Sequence, residues 1–243
     1  MANSTVVFIT GVRTGIGKAL AQAYLARSNH IVDTSDASVQ ELKDNPVAIG
    51  SKLLLVAFES TSSTDIAKAI KEIEAIDISY IHLVIANAGV CPVLTPIATV
   101  DVNDVITAFN VNAAGPLILF QAVRHLLENS KKSPKWVSMS SAAGSIGLLE
   151  AQGCSGNGES SNTNIDDHRA IHSSEKWLTA FAVHPGLVQT ETGNRGAKLI
   201  GLELAPNSLE ESTSKTIAVI DKASRESTSG KFFNAIDGTE IPW

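Results

Sequence analysis

Short apolar runs alternate along this chain with stretches in which apolar residues recur every three to four positions. Val6-Val7-Phe8-Ile9 is a continuous apolar run closed by Gly11, and Ile16, Leu20 and Tyr24 follow at helical spacing. Leu53 to Val56 is a second clear run. Ile66, Ile70 and Ile73 mark a helix face, and Tyr80 to Ala86 reads as a strand ending at Asn87-Ala88-Gly89. Val102, Val105, Ile106 and Phe109 keep the i, i+3, i+4, i+7 pattern, and a long helix is predicted from Gly115 to Glu128. Trp136 to Met139 and Leu178 to Val183 are further strands. Ser208-Leu-Glu-Glu211 has the form of a capping box opening a late helix, and Lys231 to Asn234 is a last strand.

Apolar strands separated by helices predict a parallel sheet covered on both faces, that is, one doubly wound α/β domain of Rossmann type spanning 1–243. Two places depart from the pattern. Between the first helix and Leu53 only Ile31 and Val32 are apolar, so the second strand is predicted to be short. Residues 151–169, AQGCSGNGESSNTNIDDHR, have the composition of an exposed, irregular loop, with Gly153, Gly156 and Gly158 each costing about 1 kcal/mol in a helix.

Composition narrows the function. The chain has 243 residues, 44% apolar and 18% charged, enough for a sizeable core and unlike a disordered chain. Its 19 basic and 25 acidic residues give a net charge of −6, and Lys131-Lys132 is the longest basic block, which predicts no nucleic-acid or membrane partner. Two cysteines, Cys91 and Cys154, make neither a disulfide framework nor a metal site by themselves. The opening residues lack the basic and apolar regions of a signal peptide, and no apolar run approaches about 18 residues. A cytoplasmic location is the expectation.

Candidate chemistry begins at Thr10-Gly11-Val12-Arg13-Thr14-Gly15-Ile16-Gly17, set between a strand and a helix. Glycines there let backbone approach a pyrophosphate that sits on the helix N-terminus. An acid about 20 residues beyond the glycines selects NAD and an arginine accommodates NADP; Asp33 and Asp36 are candidates for the first role, Arg13 for the second.

The spacing resembles that of the short-chain dehydrogenase/reductases, and further motifs match in order. Asn87-Ala88-Gly89 follows the fourth strand. Asn112 resembles the family's active-site asparagine. Ser141, in Ser140-Ser141-Ala-Ala-Gly144, stands at the catalytic serine position. Pro185-Gly186-Leu-Val188-Gln-Thr190 resembles the loop that holds the cofactor carboxamide. Glu59 matches the acid on the adenine side, and Arg124 matches in place a basic residue that supports the cofactor site. Lys176-Trp-Leu-Thr-Ala-Phe, His184-Pro-Gly and the ending Asp237 to Trp243 look like the fungal norsolorinic acid ketoreductase group. That resemblance implies reduction of ketones of aromatic polyketides with NADP(H), NAD remaining open, in secondary metabolism, with a homo-oligomer possible but its usual interface helix disrupted by 151–169.

The family's chemistry also needs a tyrosine and a lysine four residues later. The chain has two tyrosines, Tyr24 and Tyr80, both before Ser141 and neither followed by lysine at +4. Counting back from Trp177 puts Asn157 and Ser161 in those positions; counting forward from Ser141 puts Cys154 at the tyrosine. Asn157 is no acid and Ser161 carries no charge, so the proton donor is impaired or lost, worth about 10²–10⁴-fold in rate. His168 and His172, four apart, are the substitute donors considered, with a solvated loop histidine as the plainer reading. Asp166 and Asp167 beside them offer only weak grounds for a metal. Three readings stand open: a ketoreductase, a cofactor- or ligand-binding pseudoenzyme or non-redox catalyst on the same fold, and a defective version of an active relative. Damage confined to two blocks is the pattern of a mis-joined reading frame.

Overall fold

The structure, a computed structural model, describes residues 4–34, 40–45, 47–91, 98–148 and 168–243. Seven parallel strands form one sheet in the order β3-β2-β1-β4-β5-β6-β7: β1 (Thr5–Ile9), β2 (His30–Thr34), β3 (Lys52–Leu55), β4 (Leu83–Ala86), β5 (Lys135–Met139), β6 (Thr179–His184) and β7 (Phe232–Asn234). The chain leaves β1 toward β2 and β3, then returns to build from β4 outward. This reversal leaves a crevice at the carboxyl ends of β1 and β4, where open α/β sheets bind ligands.

Alternation along β1 explains why both faces are buried. Val6 and Phe8 point into a cluster with Ile66, Ile70, Val123 and Trp136, under α3 (Ser63–Glu74) and α5 (Gly115–Glu128). Val7 and Ile9 point the other way, into Leu20, Leu25, Ile217 and Ile220, under α1 (Gly15–Leu25) and a late helix, Leu209–Lys222. A third, small cluster gathers Ala182, Phe232 and Ile241 with Ala142, Leu148 and Trp243.

The remaining helices are α2 (Gln40–Lys43), α4 (Val102–Phe109), α6 (168–174) and α7 (Glu191–Leu199), so that Leu209–Lys222 is α8. Between α4 and α5, Asn110–Ala114 form a π-helical turn, so Val102–Glu128 is one continuous helical run. By length and composition this run is apolar enough to cross a membrane. Leu119, Phe120, Val123, Leu126 and Leu127 are instead buried against the sheet, which makes its second half a core helix.

Two expectations need correction. The second strand is not short: all five residues of β2 pair with β1, and four pair with β3. Polar His30, Asp33 and Thr34 flank its two apolar residues, so backbone pairing on both sides sustains it where the apolar pattern is thin. Residues 151–167, with Asn157, Ser161 and Cys154, lie outside the described residues, as do Asp36 and the Asp33 side chain. His168 and Arg169, placed with the loop, open helix α6 instead.

Candidate active site

The glycine loop lies at the carboxyl end of β1 and is tied to β4. Thr10 Oγ1 accepts the N–H groups of Asn87 and Ala88 at 3.0 and 2.9 Å. Asn87 Nδ2 donates back to the carbonyls of Thr10 and Gly11 at 2.9 and 3.1 Å. The close approach explains Gly17, where a Cβ would stand 2.2 Å from the Gly11 carbonyl oxygen.

The start of α1 is the feature that points to an anion. Helices α3, α4, α7 and α8 each open with a side chain accepting a first-turn N–H: Ser62, Asp101, Thr190 and Ser208. At α1 the corresponding residue, Thr14, makes no such bond, and the first turn carries no acidic residue. Its donors are therefore open to a phosphate, which the helix dipole favours. Gly15, at φ +57°, faces Thr190: a Cβ there would be 3.3 Å from the threonine methyl. The loop after β6 is thereby brought against the glycine loop.

That second loop is itself braced. Gly186 packs on Asn207, whose N–H donates to the Leu187 carbonyl and whose carbonyl accepts from Gln189. Pro185 O accepts from the Ser212 hydroxyl at 2.7 Å, and Val188 is buried. A narrow crevice bounded by Thr10, Phe58, Ser60, Ala88 and Gly115 lies beside the glycine loop. Glu59 stands exposed at its edge, its carboxylate accepting from Thr61. Arg13 is exposed on the glycine loop, and Ile16 is half-buried against the α1–α8 cluster.

Asn112 sits within the π-helical turn, a departure from α geometry common at functional sites. It is buried, and its amide is spent on one residue: Oδ1 accepts from Val90 N–H at 2.8 Å and Nδ2 donates to Val90 O at 2.9 Å. Gly89 packs on this amide. Ser141 follows β5 in extended conformation, and its Oγ accepts the Ala143 N–H at 3.2 Å, capping a 3₁₀ turn. Among the described residues its hydroxyl proton has no acceptor.

The structure thus brings together Gly11, Arg13, Gly15, Ile16, Gly17, Asn87, Ala88, Gly89, Asn112, Ser141, Pro185, Gly186, Val188 and Thr190 along one edge of the sheet. Arg124 is not among them. It lies toward the far end of α5, where Nε and Nη2 donate to Glu175 at 2.8 Å each and Nη1 to Glu128 at 2.9 Å. The guanidinium stays protonated well above its usual value through the Glu175 contact. Its place on α5 carries this charge to the opposite edge, so it braces α5 against the chain entering β6.

Both tyrosines also lie away from Ser141. Tyr24 is in the last turn of α1, buried, with its phenol pushed up by burial. Tyr80 precedes β4 and packs edge-on against His82. Of the two histidines considered as donors, His168 is buried rather than solvated and His172 is half-buried. His168 is fully buried and stacked on Trp243 at 4.7 Å, and His172 Nδ1 lies 2.9 Å from Ser229 Oγ, with its pKa lowered by burial. Among the described residues no cluster of three metal-ligating side chains occurs. Sequence reasoning passed over Thr10, Asn207 and Trp243 as braces. Thr10 was legible from its place after β1; the other two act only through the tertiary fold.

A parallel sheet with an uncapped helix start at its switch point, and a serine at the end of the neighbouring strand, is an architecture that nucleotide-dependent oxidoreductases use. The short chain dehydrogenase family model matches residues 5–198, and the chain belongs to that family. A short-chain dehydrogenase of Neurospora crassa is 45% identical, covering 100% of this chain and 99% of its own. The norsolorinic acid ketoreductase of Aspergillus parasiticus is 33% identical over 98% of this chain and 91% of its own. Among solved structures, NADPH-bound carbonyl reductase from chicken fatty liver superimposes with a TM-score of 0.83 at 24% identity, covering 99% of both chains, a likeness of fold.

Proposed function

We propose that this chain binds NADP(H) at the switch-point crevice and acts on a ketone of the aromatic polyketide class, with a weakened proton-donating step. The observation that carries the nucleotide reading is the uncapped start of α1 with Thr190 drawn up to Gly15. Gly11, Gly15 and Gly17 would let the backbone approach the diphosphate, Thr190 and Val188 would border the nicotinamide, and exposed Arg13 would meet a 2′-phosphate. Bound nicotinamide supplies hydride. Ser141 donates a hydrogen bond to the ketone oxygen, and Asn112 keeps the Gly89–Val90 turn in place beside it.

Support for a polyketide ketone comes from relatives named norsolorinic acid ketoreductase at 33 to 34% identity. Titration with NADPH and NADH, read by fluorescence and thermal shift, tests the reading. Micromolar binding of NADPH is the expected result; binding of neither nucleotide removes redox function.

The placement of Tyr24 and Tyr80 away from Ser141 favours a second reading, a cofactor-binding protein that turns over slowly or not at all. The double substitution Asn157→Tyr and Ser161→Lys separates the two. A gain of about 10²-fold or more in ketone reduction marks a ketoreductase that lacks its acid. Unchanged turnover with intact nucleotide binding marks the pseudoenzyme.

A further inference from the structure

Three segments distant in sequence meet at Trp243. The chain doubles back after β7: Asn234 N–H donates to Thr239 O at 2.8 Å, Ile241 N–H donates to Phe232 O at 2.8 Å, and Phe233 bridges Glu240 in antiparallel fashion. This return delivers Pro242 and Trp243 to the turn that follows Ser141. The fully buried Ser145 donates its hydroxyl to Pro242 O at 2.6 Å, and Gly147 N–H donates to Trp243 O at 2.5 Å. A Cβ at Gly147 would meet that same oxygen at 2.9 Å, so the position is filled to contact.

The indole meets the third segment. His168 stacks on it at 4.7 Å and 26°, the Arg169 guanidinium lies 4.8 Å from its centroid, and Phe232 packs at 6.0 Å. Aromatic and cation–π contacts of this kind hold groups in register beyond the area they bury. Leu148 and Ala142 join the same cluster. One residue therefore reaches both the turn that follows Ser141 and the start of α6.

We infer that Trp243 is a positioning residue for the ketone side of the site, acting through Gly147, His168 and the cluster with Ala142 and Leu148 to fix the turn after Ser141, and leaving the nucleotide side independent of it. The functional half of this inference rests on the ketoreductase reading above; the positional half does not. The indole stacks on His168 and shares one apolar cluster with Ala142 and Leu148, so its removal loosens both segments while the backbone bonds from Pro242 O and Trp243 O remain. Nucleotide affinity depends on the loops after β1 and β6 and stays as it was.

The test compares wild type with Trp243→Ala and Trp243→Phe. Amide exchange in 142–148 and 168–174 is expected to speed up about tenfold or more in the alanine variant, while the glycine loop is unaffected. NADPH affinity is expected to hold within about twofold, anthraquinone binding to weaken about tenfold, and phenylalanine to restore both exchange and binding in large part. Unchanged exchange in those two segments overturns the inference, and so does a parallel loss of nucleotide and anthraquinone affinity. If wild type binds no anthraquinone, the ketone reading fails, and the exchange comparison still decides whether Trp243 positions Ser141.

Discussion

At the scale of single residues, Gly17 and Arg13 divide the nucleotide site between shape and charge. No side chain fits at Gly17, 2.2 Å from the Gly11 carbonyl oxygen. Gly17→Ala is expected to cost about 1–3 kcal/mol, as overpacking does, and to abolish nucleotide binding, read from a denaturant midpoint and a titration. Arg13 is exposed, and on the proposed reading it distinguishes one nucleotide from the other. In Arg13→Ala, NADPH affinity should fall about tenfold while NADH affinity stays level; equal loss of both would give the arginine a general role. The placement of both residues at the carboxyl end of β1 was legible in the sequence, because a glycine loop between a strand and a helix falls there. The geometry of Asn112 was not legible, since nothing in a linear pattern pairs its amide with Val90, 22 positions earlier.

Whole elements carry the acid sensitivity. His82 precedes β4, and its Nδ1 accepts the N–H of Val6 at 2.9 Å, joining β4 to β1. Burial, with Lys132 and His30 adding repulsion, pulls its pKa down to about 4. His184, at the end of β6, is pulled to about 4 by burial as well, against Asp237. Both are neutral bases in the folded chain and near their ordinary 6.5 when unfolded, so unfolding takes up protons between these values. Stability should be full above pH about 6.5 and decline as pH falls toward about 4. His82→Asn keeps an acceptor for Val6 and should flatten part of that decline in denaturation curves recorded across the range. The Arg124 bridge belongs to the same scale. Arg124→Met should lower the thermal midpoint and leave NADPH affinity unchanged; a tenfold loss of affinity would restore the cofactor role that its position in the sequence suggested. The ion pair was not legible in the sequence: position along α5 matches a family pattern, while the partner Glu175 lies 51 residues away. The second strand failed for a related reason: apolar pattern reports burial, and β2 is held by pairing on both edges.

For the molecule as a whole, strand order and the buried faces follow from apolar runs alternating with helical periodicity, so the architecture was the most legible part of the chain. With β2 intact, one confined block of departure remains, 151–167. Sequencing the transcript across it is expected to return the same codons if the divergence is real; a different reading frame there would instead mark a defective version of an active relative. The meeting of 141–148, 168–174 and 241–243 had no linear signal at all, because backbone return and ring stacking leave no periodicity. It also sets a timetable. A chain made from its amino end has both candidate nucleotide loops, after β1 and after β6, in hand once Thr190 is made, while Trp243 emerges about 50 residues later, on the order of several seconds at typical rates of synthesis. During that interval the proposed nucleotide side is complete while the turn after Ser141 still waits for its brace, so on this reading nucleotide supply during translation acts on one half of the site before the other is finished.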